Sequence, residues 1–263
     1  MNDIKFSSVA ADRFTMEYAA FGNGKKPLVI IPGVSLKSVL LSAPAVAAQY
    51  DRFVPDHRIY LFDRKKEIKA GYSVIEMAED TAKAMKRLGI KNADVFGASQ
   101  GGMIAEVIAA RHPGLVGRLI LGSTLAGQNE TSIRTFTEWI RLCDLGNAEA
   151  LNHAVFKKVY SEAYYEKYRK VFSDLEKEGT EEEIRRFGIL IRACIRFDFR
   201  KEIKKIRCPI HALGATDDRV LSEDGTAEIG WLTGCHTTII QGYGHAVYDE
   251  CPIFMDAMRR FFR

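Results

Sequence analysis

A serine between two glycines is the residue of this chain best placed to act as a nucleophile. Ser99 follows the strand-like stretch 93–96 in the sequence Gly-Ala-Ser-Gln-Gly, and the chain then continues as an alanine-rich, helix-like stretch. A serine on a sharp turn between strand and helix has strained backbone angles, so small residues are needed two positions before and after it. Gly97 and Gly101 supply those positions. The pattern predicts a catalytic serine on a strand-turn-helix elbow.

Over nearly its whole length, the chain resembles an α/β-hydrolase with a helical cap. In that family, an acid after a late strand and then a histidine near the C-terminus follow the serine. Here the strand-like stretch 208–214 leads to Asp217, and the stretch 237–240 leads to the sequence Gly-Tyr-Gly-His, which ends at His245. The resemblance implies that His245 takes the proton of Ser99 and that a carboxylate orients the imidazole.

Two adjacent acids compete for that carboxylate role. Asp217 stands three residues after Gly214, which is the Gly-x-x-Asp spacing typical of the resembling family. Asp218 directly precedes Arg219, as it does in some members of the family. We expect Asp217 to be the acid, because the spacing fixes where the carboxylate leaves the strand, and Asp218 stays open as the alternative.

Acyl transfer also develops negative charge on a carbonyl oxygen, which two backbone N–H groups should receive. By the same resemblance, one is the N–H of Gln100, directly after the serine, and the other is the N–H of Val34, in the loop after the strand-like stretch 27–31. The family more often has His-Gly where this chain has Pro32-Gly33. We therefore expect the packing of this loop to depart from the usual family pattern.

Alternating strand-like and helix-like segments predict the framework that positions these residues. Strand-like stretches at 58–62, 93–96 and 119–121 and an amphipathic helix at 74–88 favour a mostly parallel central sheet flanked by helices, an α/β fold. Before them, 14–20 and 28–31 are predicted to pair as an antiparallel hairpin.

A break in this alternation indicates an inserted unit. From about 128 to 200 the chain becomes helical, charged and aromatic. We predict an α/β-hydrolase core formed by 1–127 and 201–263 and a helical cap insertion at 128–200. In the resembling family such a cap covers the serine and lines the substrate pocket.

Composition excludes several other classes of protein. The chain has 263 residues, of which 47% are hydrophobic, and a net charge of only +4, with basic and acidic residues interspersed. Five widely spaced cysteines show no metal-binding pattern, and no apolar run suggests a signal peptide or a membrane span. We expect a cytoplasmic protein with no cofactor and no metal, which binds a small-molecule substrate and neither nucleic acid nor membrane.

The reaction expected from these residues is a two-step hydrolysis. Ser99 attacks an ester-like carbonyl, His245 protonates the leaving group, and a water activated by His245 releases the acid. A serine nucleophile argues against the relatives that use an aspartate, but it does not separate esterase, carbon-carbon hydrolase, lactonase, thioesterase and perhydrolase. A non-catalytic ligand receptor on the same fold and an acyltransferase are the alternatives.

Overall fold

One mixed sheet runs through the molecule. The computed structural model describes residues 3–263, so Met1 and Asn2, the start of the stretch searched for a signal peptide, lie outside the described residues. The strands are β1 (Lys5–Ala11), β2 (Phe14–Phe21), β3 (Lys26–Ile31), β4 (His57–Phe62), β5 (Ala93–Ala98), β6 (Val116–Gly122), β7 (Ile210–Ala215) and β8 (His236–Ile240). Their order in the sheet is β1-β2-β4-β3-β5-β6-β7-β8. The pairs β1–β2 and β2–β4 are antiparallel and the others are parallel, which confirms the mostly parallel sheet.

Helices cover both faces of this sheet. They are α1 (Ala43–Gln49), α2 (Val74–Arg87), α3 (Gln100–Arg111), α4 (Glu130–Asp144), α5 (Ala148–Val159), α6 (Glu162–Lys167), α7 (Arg169–Glu176), α8 (Glu181–Ile195), α9 (Ser222–Thr233), α10 (Val247–Glu250) and α11 (Pro252–Phe261). Apolar side chains of α2, α3 and α9 contribute to the hydrophobic core on one face, and those of α1 and α11 to the core on the other. A strand covered on both faces is largely apolar, and all six residues of β5 are buried. Its one charged residue, Asp94, is paired with Lys26, Arg118 and His57.

The predicted hairpin between 14–20 and 28–31 is wrong. β4 lies between β2 and β3, and it pairs antiparallel with β2 and parallel with β3. The glycine-containing connection does not close a tight turn, because the Gly24 N–H donates to the His57 carbonyl at the start of β4 (3.2 Å). The glycines marked a change of chain direction correctly, but the identity of the neighbouring strand depends on a segment more than thirty residues further along the chain.

Five helices, α4 to α8, follow one another between β6 and β7, and we call residues 130–195 the helical segment. Capping boxes begin two of them, formed by Asn129 with Ser132 at α4 and by Thr180 with Glu183 at α8. Trp139 of α4 packs between Phe136 and Phe187, with ring centroids 5.9 and 6.2 Å away. These aromatic side chains hold the helices of the segment to one another.

Two further observations bear on the sequence-based expectations. Among residues 3–263, no helix is long and apolar enough to cross a lipid bilayer. All five cysteines are free thiols.

Candidate active site

Ser99 occupies the turn between β5 and α3 with strained backbone angles, φ 52° and ψ −122°. A non-glycine residue with positive φ is uncommon, and here the surroundings enforce it. A side chain at position 97 would place its Cβ 2.5 Å from the Gly101 carbonyl oxygen, and one at position 101 would lie 1.8 Å from the Ile31 carbonyl oxygen. The predicted elbow and its need for two glycines are therefore present in the fold.

Hydrogen bonds from the sheet hold the backbone of Ser99 in this conformation. Its N–H donates to the Gly122 carbonyl at the end of β6 (2.9 Å). Its carbonyl accepts the Thr124 hydroxyl (2.7 Å) and the Gly102 N–H (2.9 Å). The Ser99 hydroxyl makes no hydrogen bond to any of residues 3–263, and the residue is 8% exposed. The hydroxyl is therefore free to react with a bound molecule.

His245 is hydrogen-bonded to Asp218. The His245 Nδ1 to Asp218 Oδ2 distance is 2.8 Å, and the two residues are 2% and 7% exposed. With Nδ1 bound to a carboxylate, the proton of a neutral imidazole lies on Nδ1, which leaves Nε2 as the acceptor. A histidine in this state can take a proton from a hydroxyl group.

The prediction that Asp217 orients the histidine is wrong. The Asp217 side chain is exposed and accepts the Thr216 hydroxyl (2.9 Å), while its N–H donates to the Tyr243 carbonyl (3.0 Å). The backbone leaves β7 with Asp217 facing solvent, so the next residue turns inward to His245. The second carboxylate oxygen of Asp218, Oδ1, accepts hydrogen bonds from the N–H groups of Val220 (2.8 Å) and Leu221 (2.9 Å).

A sequence signal for Asp218 did exist. Aspartate side chains commonly accept hydrogen bonds from backbone N–H groups two residues further on, and this fixes the start of a turn. In Asp218-Arg219-Val220 that local turn anchors one carboxylate oxygen and presents the other to the histidine. The Gly-x-x-Asp spacing, by contrast, missed the acid by one residue.

The loop after β3 lies beside Ser99, as expected for a pair of oxyanion donors. A Cβ added at Gly33 would lie 3.2 Å from the Cβ of Ser99, so the backbone before Val34 runs directly past the serine. Gln100 is the first residue of α3, and the N–H groups in the first turn of a helix have no partner within that helix. The arrangement brings both predicted donors, Val34 and Gln100, to the neighbourhood of the serine.

A buried arginine that sequence analysis missed connects these two places. Arg64 follows β4 and is 5% exposed. Its Nη2 donates to the Pro32 carbonyl (2.7 Å), and its Nε and Nη2 both donate to the Gln100 side-chain oxygen (3.2 and 3.1 Å). The pattern Asp-Arg after an apolar strand was the available signal, because a strand of this kind ends at the same edge of the sheet as the serine. The Asp63 carboxylate accepts the Arg64 N–H (2.6 Å).

The helical segment packs over these residues. The Gln100 side-chain amide donates to the Leu190 carbonyl (2.9 Å) and contacts Cys194 Sγ (3.1 Å), both on α8. Beside the histidine, the Ala246 N–H donates to the Val159 carbonyl (2.9 Å). A separate groove of about 770 Å³ lies between α8 and residues 70–75, and none of Ser99, Asp218 and His245 lines it.

Comparison with known proteins identifies the fold. The profile described as the α/β hydrolase fold matches residues 26–148. A solved structure of MGS-M2, an α/β hydrolase enzyme from a Medee basin deep-sea metagenome library, superposes with a TM-score of 0.86 at 20% identity and 97% coverage of both chains. The chain has the α/β-hydrolase fold.

Two more comparisons concern activity. The enol-lactonase of Burkholderia xenovorans LB400 has the same fold, with a TM-score of 0.83 at 20% identity over 97% of this chain and 99% of that one. A provisionally named carbamate hydrolase, RutD, of Rhizobium rhizogenes is 28% identical over 227 residues, which are 82% of this chain and 87% of the relative. Both proteins are enzymes by their descriptions, and they support the prediction of an α/β-hydrolase enzyme.

Proposed function

We propose that the chain is a serine hydrolase that cleaves a small, largely uncharged ester-like or related acyl compound through Ser99, His245 and Asp218. The observation that carries the proposal is the His245–Asp218 hydrogen bond of 2.8 Å. It lies at the same edge of the sheet as Ser99, which is held in the strained elbow conformation. Neither feature is needed for folding alone, because a strained serine and a buried histidine-carboxylate pair both cost stability.

The proposed reaction begins with transfer of the Ser99 proton to His245 Nε2 while Oγ attacks the substrate carbonyl. Asp218 holds the imidazole in the required tautomer and stabilises the imidazolium that forms. The N–H groups of Val34 and Gln100 receive the developing oxyanion. His245 then protonates the leaving group, and a water molecule deprotonated by His245 attacks the acyl-enzyme and releases the acid and Ser99.

The helical segment serves as the cap in this proposal. It binds the residue after the serine through Leu190 and the residue after the histidine through Val159, so a substrate must enter beneath it. The low exposure of Ser99, at 8%, supports a small substrate enclosed away from water. Esters, lactones and carbamates share the carbonyl that this chemistry requires, and relatives of this chain are named for the last two.

The test is labelling by an alkyl fluorophosphonate, measured as intact mass, with hydrolysis of p-nitrophenyl acetate followed in parallel. We expect one adduct per chain and ester turnover, both of which Ser99→Ala abolishes. Ser222→Ala is the matched control, because Ser222 also has positive φ (62°) but its hydroxyl binds Asp224. Labelling that survives in Ser99→Ala refutes the assignment.

The same protein preparation serves to distinguish the substrate classes and to test the acyltransferase and ligand-receptor alternatives. A p-nitrophenyl carbamate, a γ-lactone and the acetate ester are compared by kcat/KM, and added methanol tests whether an alcohol intercepts the acyl-enzyme better than water. Absence of both labelling and turnover in the folded wild-type chain would leave the ligand-receptor hypothesis in place of hydrolysis.

A further inference from the structure

We propose that Arg64 is a positioning residue for the oxyanion hole. Its side chain fixes the Val34 loop and Gln100 relative to each other and supplies a buried positive charge next to both. The inference rests on the proposed hydrolase function and adds a residue that acts on the transition state without touching the substrate. Its basis is the pair of acceptors that Arg64 binds, one on each side of the site.

The first acceptor fixes the loop that carries Val34. Arg64 Nη2 lies 2.7 Å from the Pro32 carbonyl oxygen, and that carbonyl belongs to the peptide unit that leads into Gly33. Gly33 packs directly against Ser99. Because a peptide unit is planar, fixing the Pro32 carbonyl also fixes the Gly33 N–H of the same unit. The guanidinium thereby anchors the backbone directly before the unit that carries the Val34 N–H.

The second acceptor fixes the residue that follows the nucleophile. The Gln100 side chain is fully buried, and its oxygen accepts from both Nε and Nη2 of Arg64 at 3.2 and 3.1 Å. The rigid fork of a guanidinium can satisfy acceptors from two elements at fixed angles, which a lysine ammonium does less well. One side chain therefore sets the separation between the two proposed N–H donors.

No carboxylate in the described part of the chain forms a direct ion pair with the Arg64 guanidinium. Among residues 3–263, no acidic side chain lies within ion-pair distance of its guanidinium, and the hydrogen-bond acceptors are oxygens of neutral groups. Burial lowers the pKa of Arg64, yet an arginine stays protonated in proteins. The nearby Asp63 carboxylate acts against this effect of burial. A buried cation without an ion-pair partner costs stability, and a negative charge that develops near it during the reaction is stabilised in return.

The test compares the folded full-length variants Arg64→Met and Arg64→Lys with a matched control, Arg58→Met. Arg58 also donates to a backbone carbonyl, that of Gly22 (2.8 Å). It lies near the start of β4, whereas Arg64 follows the end of that strand. Using p-nitrophenyl acetate, we expect kcat of Arg64→Met to fall about 10²- to 10³-fold, as for the loss of an oxyanion-hole donor, with KM within about threefold of wild type. Arg64→Lys should recover part of the loss, and Arg58→Met should match wild type.

An aryl trifluoromethyl ketone gives a readout that a purely structural role would not move. It forms a tetrahedral adduct with the serine. Its inhibition constant should therefore rise in the Arg64 variants by the same factor by which kcat/KM falls. A kcat of Arg64→Met within threefold of wild type, an equal loss in Arg58→Met, or unchanged ketone inhibition overturns the inference.

Two outcomes keep the failures distinguishable. If Arg64→Met does not fold, Arg64→Lys decides: a folded lysine variant with wild-type kcat and ketone inhibition refutes the positioning role. If the wild-type chain neither hydrolyses the ester nor reacts with the fluorophosphonate, the proposed function fails first, and the role of Arg64 in it falls with it.

Discussion

Exchange of a single oxygen for nitrogen at Asp218 should remove nearly all activity while leaving the fold intact. Two backbone N–H groups, those of Val220 and Leu221, point at Asp218 Oδ1. In Asp218→Asn these donors require that the remaining oxygen faces them, because an amide NH₂ there would meet two other donors. The new NH₂ must then face His245 Nδ1, which lies 2.8 Å from the second carboxylate position.

That orientation determines the size of the effect. His245 Nδ1 has to accept from the amide, so the imidazole proton moves to Nε2, the atom that accepts the Ser99 proton in the proposed reaction, and the base is lost. The same exchange in a serine protease lowers kcat about 10⁴-fold, which corresponds to roughly 5 kcal/mol of transition-state stabilisation. We expect a loss of that order for Asp218→Asn, measured as kcat on p-nitrophenyl acetate.

The adjacent acid supplies the control. Asp217→Asn changes an exposed side chain that binds the Thr216 hydroxyl, and we expect kcat within about threefold of wild type. Thermal unfolding of both variants shows whether either loses its fold. A large loss in Asp217→Asn, or less than a tenfold loss in folded Asp218→Asn, would refute the reasoning.

Three further predictions concern stability. Gly101→Ala forces a Cβ to 1.8 Å from a backbone oxygen, so we expect a loss of at least about 2 kcal/mol by urea unfolding, whereas Gly114→Ala, with open space, should be near neutral. Glu106 is buried with both carboxyl oxygens unpaired, and burial raises its pKa. The free energy of unfolding should therefore fall as the pH rises above the ordinary glutamate pKa. The stability of Glu106→Gln relative to wild type should increase from pH 5 to pH 9, and the opposite trend would contradict this. Burial and the nearby His236 lower the pKa of His211 to about 4. The free energy of unfolding should therefore fall by at most about 3 kcal/mol as the pH drops from 6.5 toward 4. In urea titrations, His211→Asn should show a weaker dependence on pH over this range.

The strands and helices of this fold were predictable because their signals are local. The buried run 93–96 became part of β5, and the amphipathic stretch 74–88 became α2, which ends one residue earlier. The position of β4 between β2 and β3 was not predictable, because no short pattern records which distant strand fills a gap. Sequence therefore indicated the elements better than their order in the sheet.

The candidate site divides along the same line. Ser99 and His245 are marked by glycines that their own turns require, so sequence points to them directly. The choice between Asp217 and Asp218 depends on which way the chain turns after β7, a matter of a single residue. Arg64 carries no motif, because its acceptors are a carbonyl and an amide from two other parts of the chain.

These contacts separate the site into a part that the sheet holds and a part that side chains hold. The strained turn of Ser99, which costs about 1–3 kcal/mol by itself, is secured by hydrogen bonds to Gly122 and Thr124 at the end of the adjacent strand. The Val34 loop depends instead on Arg64, and Gln100 binds both Arg64 and helix α8. The Gln100 N–H lies in the same planar peptide unit as the Ser99 carbonyl, which Thr124 holds. A movement of the helical segment would therefore leave the nucleophile and this N–H in place and act on the side chains of Gln100 and Arg64.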